Sequence, residues 1–186
     1  MRRDAAVARR YARALLTLAS EARRAEAVAD ELARFDQLLG AERELRGALL
    51  RPWVKAATKR SIVLEVAGRL GVSPLTRNFL ALVAQRRRLG LLGEILAAYR
   101  VRVDEAAGRI RARVRSAAPL SDAERAALRE RLGRRLGKTV LLDTEVDPSL
   151  LGGFVAEVGS RVLDMSVAGQ LSALRERIIK GAGGAA

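Results

Sequence analysis

Four groups of residues in this chain have the types and spacing that chemistry asks for. Asp143, Glu145 and Asp147 alternate, so along a strand their carboxylates share one face and could meet a hard cation. A calcium cage needs a tight loop wrapped around the ion, which a strand does not supply. Leu151-Gly152-Gly153 has the glycines of a phosphate loop but lacks both the Lys-Ser/Thr pair and the helix start that would turn amides toward an anion. It reads as a bend between two strands. Arg109, Arg111, Arg113 and Arg115 line one strand face and could track a phosphate backbone. With no aromatic residue between them to stack on bases, a solvated or partner-facing strand is the preferred reading. Neighbouring carboxylates such as Asp104 and Glu105 read as solvated surface.

Composition removes most other chemistry. None of the 186 residues is cysteine or histidine. Disulfides, thiolate metal sites and cysteine nucleophiles are excluded, as are the commonest metal ligand and the commonest neutral-pH base. No catalytic residue, cofactor or metal site is expected. Aromatic residues are only 3% of the chain, too few for an aromatic-lined pocket. Apolar residues at 49% and charged residues at 30% describe a globular chain, long enough for one substantial core or two small ones. No run of 18 apolar residues exists to span a membrane.

The net charge of +14 is uneven: residues 51–115 hold 15 basic and 4 acidic side chains, for +11. Such a middle could attract nucleic acid, anionic lipid or an acidic protein. Because 31 of the 35 basic residues are arginine, a bias that base composition alone can produce, the signal is weak. The Arg-rich, amphipathic opening MRRDAAVARRYARALLTLAS resembles an organellar transit peptide, but Asp4 and Glu21 sit badly with that role, and it reads as a structural helix.

Helices dominate the first half. Val7, Tyr11, Leu15 and Leu18 draw one apolar stripe, and Val28, Leu32, Phe35 and Leu39 a second that Gly40 stops. A short segment at 42–50 leads to Pro52, and Trp53 after it is expected to pack at a helix start. Ile62, Val63, Val66 and Leu70 mark a helix over 55–70. Ser73-Pro74 opens the next helix as cap and first residue; it carries Phe79, Leu80, Leu82 and Val83 and closes on Arg86, Arg87 and Arg88. Leu92, Ile95, Leu96, Tyr99 and Val103 predict a helix over 91–105. The first stripe is wide: Tyr11, Ala12, Ala14, Leu15, Leu18 and Ala19 cover more than one buried seam requires. Alanines beside leucines are what a groove for another helix needs.

The period changes near Gly108. Residues 109–115 alternate as a half-buried strand, Ser121-Asp122-Ala123-Glu124 is a capping box opening a helix to Leu136, and residues 139–146 form a strand. Gly159-Ser160 predicts a type II′ hairpin between two further strands. A helix over 166–179 and a frayed tail at 181–186 complete the chain.

Four stretches stand out: Tyr11-Ala12-Arg13-Ala14-Leu15; Asn78-Phe79-Leu80 with Leu82 and Val83; Ser116-Ala117-Ala118-Pro119-Leu120-Ser121; and Val146-Asp147-Pro148-Ser149-Leu150-Leu151-Gly152-Gly153-Phe154. Together they resemble the delta subunit of F-type ATP synthases, the bacterial counterpart of the oligomycin-sensitivity-conferring protein. Gly159, Asp164 and Ser166 follow at the family's spacing. Two places depart from the pattern: Ala156 replaces a larger aliphatic residue, and Arg86-Arg87-Arg88 replaces an Asn/Gly-containing turn. The run before Tyr11 is similar to bacterial members, which lack a transit peptide.

The resemblance implies a mainly α protein, with a six-helix N-terminal bundle followed by a smaller α/β C-terminal domain. With the period change near Gly108 as the boundary, the bundle covers residues 1–107, the second domain 108–180 and a disordered tail 181–186. The resemblance also implies a non-catalytic stator subunit that joins the b-type peripheral stalk subunits to the alpha/beta catalytic head and resists rotor torque. The expected location is the cytoplasmic face of the bacterial plasma membrane, with membrane contact only indirect and no nucleic-acid partner. By motif match, a groove for the alpha subunit's N-terminal helix includes Tyr11, Ala14, Leu15, Leu18, Phe79, Leu82 and Val83. Asp147, Pro148, Gly152, Gly153, Gly159 and Asp164 are the family motif of the second domain. The alternative reading is a basic nucleic-acid-binding helical protein.

Overall fold

The computed structural model describes residues 2–159, 161–172 and 175. The chain divides into two compact units between Val103 and Asp104, inside the last turn of a helix and just before the period change at Gly108.

The first unit is all-α: α1 (Arg2–Glu21), α2 (Ala25–Ala41), α3 (Arg43–Leu50), α4 (Ala56–Arg69), α5 (Pro74–Gln85) and α6 (Leu92–Ala106), whose last turn runs past the division. A one-turn 3-10 helix at Leu89–Leu91 precedes α6, an element that the six-helix expectation leaves out. Val28, Leu32, Phe35 and Leu39 of α2 and Leu92, Ile95, Leu96, Tyr99 and Val103 of α6 are buried, as their spacing requires.

The first stripe is a correction. On α1 the buried face is Ala8, Ala12, Leu15 and Ala19, while Leu18 stays 51% exposed. The seam is filled by three alanines and Leu15, and the larger Tyr11 and Leu18 sit at its edge. Trp53 is a second correction: it sits in the turn between α3 and α4, outside every buried face, and is 74% exposed with the Arg51 guanidinium 5.7 Å from its ring centre.

α5 begins as read. Ser73 caps it, its hydroxyl accepting from the Thr76 N–H, with Pro74 in the first turn. The helix ends at Gln85, so the three arginines lie beyond its last turn rather than in it. There Arg87 takes a left-handed φ of +57°, the Arg88 N–H reaches the Val83 carbonyl, and the Arg87 side chain donates to the Pro52 carbonyl.

One buried polar cluster ties this unit together. Glu31 of α2, 5% exposed, accepts from the Ser73 hydroxyl at 2.6 Å, from the Thr76 hydroxyl, and from Arg24 at 3.0 Å. Burial pushes this carboxyl up, but the bonds from Ser73 and Thr76, with Arg24, outweigh burial and hold it below the ordinary value. Nearby, the Tyr99 hydroxyl donates to the Ala25 carbonyl, and burial together with Glu31 pushes the phenol up to about 12.

In the second unit, β1 (Arg109–Ser116), α7 (Asp122–Leu136), β2 (Thr139–Val146), β3 (Gly153–Val158) and β4 (Arg161–Ser166) form an α+β arrangement. The sheet order is β2-β1-β3-β4, with β1 parallel to β2 and antiparallel to β3, and β4 antiparallel to β3. The βαβ connection supplies the parallel pair, as a helical crossover must. Alternation on β1 buries Ala112, Val114 and Ser116, and Ala112 joins Leu132 of α7, Val140 and Val158 in the core. The capping box forms: the Ser121 hydroxyl accepts from the Glu124 N–H, and the Glu124 carboxylate accepts from the Ser121 N–H at 2.8 Å. Ala156 is fully buried between its strand partners Val114 and Leu163.

Gly159 has φ +60°, as either primed hairpin turn demands at its first central residue. Ser160 lies outside the described residues, so the type II′ assignment is untested. Residues 167–172 are helical; most of the remaining 166–179 segment and the 181–186 tail lie outside the described residues.

Three tests follow from this packing. The buried apolar cluster of the first unit runs from Ala8 to Val103 and takes no member from the second. A fragment of residues 1–106 should therefore melt cooperatively as a helical unit by circular dichroism, and a disordered spectrum would contradict a self-contained core. Gly153 has φ +76°, and a Cβ there would lie 2.3 Å from the Met165 carbonyl oxygen. Gly153→Ala should cost at least about 2 kcal/mol, from left-handed strain plus the clash, read by urea titration of the far-UV signal.

The third concerns Glu31. Its folded pKa is lowered, so its contribution is complete above the ordinary carboxyl value of 4.5 and is lost as pH falls through the folded pKa. Glu31→Gln should cost about 2 kcal/mol at pH 7, and the gap from wild type should narrow in titrations near pH 3. A gap independent of pH would mean the charge contributes nothing.

Candidate partner-binding cleft

Between α1 and α5 lies an open, mainly apolar cleft of about 540 Å³. Arg10, Tyr11, Ala14, Leu15 and Leu18 line it from α1; Leu75, Asn78, Phe79 and Leu82 line it from α5, with Arg86 and Arg88 at the end. The lining follows helical spacing: Tyr11, Ala14, Leu15 and Leu18 on one wall, Leu75, Phe79 and Leu82 on the other. Tyr11 and Phe79 meet edge to face with ring centres 6.2 Å apart, and the Arg88 guanidinium lies 5.8 Å from the Tyr11 ring centre. Leu18 and Leu82 are half-exposed at 51% and 43%, although both are large and apolar.

Six of the seven groove residues read from the sequence come together here. Val83 does not: it is fully buried in the core and absent from the cleft lining. It follows Leu82 directly, and one residue turns a helix by about 100°, which carries its side chain off the wall. Leu75 was missed, although four residues before Phe79 its spacing marks the same face. Arg10 and Asn78 were missed because polar surface residues carry no period that points to a cleft edge.

A second concavity, of about 430 Å³, lies between α7 and the sheet. Leu120, Ala127, Leu128 and Leu132 face Phe154, Leu163 and Met165, while Arg131 and Arg135 add positive charge. Glu124, the capping carboxylate, sits at one end.

The motif residues of the second unit hold backbone in place. One oxygen of Asp147 accepts from the Ser149 N–H at 3.0 Å and hydroxyl at 2.6 Å, while the other meets Arg115 at 3.2 Å. The Ser149 bonds, with Arg115 beside them, hold the Asp147 carboxyl below its usual value. Pro148 follows in the turn between β2 and β3, and Gly152 and Gly153 let the chain pass close to Val167 and Met165. Asp164 accepts from the Ser166 N–H at 2.9 Å, and the Ser166 hydroxyl accepts from the Gly169 N–H at 3.0 Å. The latter bond caps the helical residues 167–172.

The basic strand is largely neutralised on its own surface. Arg109 and Arg111 pair with the buried Asp104 at 3.5 and 2.6 Å, and Arg115 reaches Asp147 and Glu157. Asp104 is therefore a buried partner, not the solvated residue its neighbourhood suggested. Asp143, Glu145 and Asp147 assemble no metal-ligand group: among the described residues no three acidic side chains converge on a metal-sized site.

Known proteins similar to this chain carry a consistent description. A family model described as ATP synthase delta (OSCP) subunit matches residues 7–178. A relative from Anaeromyxobacter sp. (strain Fw109-5), named ATP synthase subunit delta, is 42% identical over 172 residues, covering 92% of this chain and 96% of its own. One of the same name from Myxococcus xanthus (strain DK1622) is 41% identical over 177 residues, covering 94% and 97%. A chain in the cryo-EM structure of the Toxoplasma gondii mitochondrial ATP synthase hexamer shares the fold, with a TM-score of 0.71 at 23% identity over 92% of this chain and 97% of that one. The order of the motifs, the two-unit architecture and these full-length matches converge, and the chain belongs to the ATP synthase delta (OSCP) subunit family.

Proposed function

We propose that this chain is a non-catalytic stator subunit of a proton-translocating F-type ATP synthase. It links the peripheral stalk to the alpha/beta catalytic head and holds the head against rotor torque. The family match across residues 7–178 carries this reading. The first unit takes the amphipathic N-terminal helix of an alpha subunit in the α1–α5 cleft, and the six helices act as one bundle around it. Half-exposed Leu18 and Leu82 support this, since a partner helix would cover them. The second unit meets the b-type stalk subunits, and its concavity between α7 and the sheet, apolar with Arg131 and Arg135 beside it, suits a helix with acidic flanks.

The chain needs no acid, base or cofactor for this work. Its attachment to the cytoplasmic face of the bacterial membrane runs through its partners: among the described residues no helix is long and apolar enough to cross a bilayer. The nucleic-acid alternative loses support from the pairing of Arg109, Arg111 and Arg115 with carboxylates.

Titration with a synthetic peptide of the alpha subunit's N-terminus tests the reading. Truncating a desolvated central side chain typically costs about 2 kcal/mol. Tyr11→Ala and Leu82→Ala should each weaken binding roughly thirtyfold, at about 1.4 kcal/mol per factor of ten. Removing Arg86 and Arg88 should matter far less, and mostly through the on-rate. Both cleft variants must keep wild-type thermal melts for the loss to count. Normal binding by the cleft variants, with loss in the arginine variant, would make the interface electrostatic.

A further inference from the structure

α1 and α5, the two walls of the cleft, both pack on α2, and they meet directly at the edge-to-face pair of Tyr11 and Phe79. A second tie joins them through one buried carboxylate. Oε1 of Glu31 accepts from Arg24 at 3.0 Å, while Oε2 accepts from the hydroxyls of Ser73 and Thr76. Arg24 lies in the turn between α1 and α2: its N–H donates to the Ala19 carbonyl at 2.8 Å, and its own carbonyl, as the N-cap of α2, accepts from the Val28 N–H at 2.9 Å. Ser73 and Thr76 are the cap and first turn of α5. One oxygen of Glu31 thus holds the turn that joins α1 to α2, and the other holds the start of α5.

We infer that Glu31 is a positioning residue, which sets the spacing of α1 and α5 and so keeps the cleft at the width a partner helix needs. The inference rests on the partner reading of that cleft. A carboxylate suits the task because its bonds are directional and charge-assisted, so the walls cannot slide without breaking one. A well-packed apolar side chain would often be at least as stabilising at such a site, but it would leave the wall spacing unspecified. Phe79 and Leu82 lie on the same helix as Thr76, one and two turns further on, so a shift of α5's first turn moves the whole wall.

The absence of native cysteine allows a direct measurement. Thr17→Cys on α1 and Arg77→Cys on α5, both exposed, carry nitroxide labels whose dipolar coupling reports the wall distance. The full chain should give one narrow distance distribution. Glu31→Gln should broaden or displace it while the circular-dichroism spectrum stays native. If only a tenth of the molecules keep the competent spacing, affinity for the alpha-subunit peptide, measured on the unlabelled chain, falls about tenfold.

Glu31→Met with Thr76→Val replaces the network by apolar groups and keeps the Ser73 cap; it should show the same two effects at little cost in melting temperature. Should either variant unfold, Arg24→Gln, at a half-exposed side chain, decides in its place. A folded variant in which either the label distances or the peptide affinity match wild type overturns the inference, because Glu31 would then only stabilise the fold. Should the unmodified chain fail to bind the peptide, the partner reading fails, and the label distances alone decide whether Glu31 spaces the walls.

Discussion

The split of α1's apolar stripe between a buried seam and a half-exposed edge is the constraint from which the candidate site follows. Ala8, Ala12 and Ala19 bury almost completely together with Leu15. The helix then presents Tyr11 and Leu18 beside its buried seam rather than within it. On the opposite wall Phe79 is buried while Leu82 stands out. Two helices that would each be an ordinary amphipathic element thereby leave a shared apolar channel open to solvent.

Charge is handled locally in both units. Glu31 in the first and Asp104 in the second are buried carboxylates, each held by more than one donor. Such ties are expensive to form and add little net stability, but their geometry is specific. In the second unit Asp104 receives two arginines of β1 just after the chain leaves α6, so the sign of the exposed strand is partly cancelled where it begins. The large positive charge of the middle region is consequently a poor guide to partners. The motif residues Asp147, Asp164 and Ser166 work the same way at turns, each closing a short hydrogen-bonded loop that fixes the entry to a strand or helix.

For a subunit whose proposed work is to hold other subunits still, this distribution is mechanically sensible. A binding surface resists displacement when its side chains are pre-organised, because little conformational entropy remains to be lost. The edge contact of Tyr11 with Phe79 and the buried grip of Glu31 are both restraints of that kind. The concavity on α7 and the sheet is braced differently, by a parallel crossover and by glycines that bring strand backbones into near contact.

Local rules in the sequence decided most of the elements. Apolar spacing on α2 and α6, the Ser73-Pro74 start, the capping box at Ser121 and Glu124, and the alternation on β1 each depend on neighbours within a few residues, so they can be read without a fold. The family resemblance likewise pointed to the family, and six of the seven groove residues it named line the cleft. Tertiary structure decided what no local period encodes. It chose which side of α1's wide stripe is buried, turned Val83 inward while Leu82 faces out, and exposed Trp53. It also joined Glu31 to Ser73 and Thr76, and Asp104 to Arg109 and Arg111. Each of these outcomes is set by side-chain volume and partner geometry across separate elements, and a helical period alone contains neither quantity.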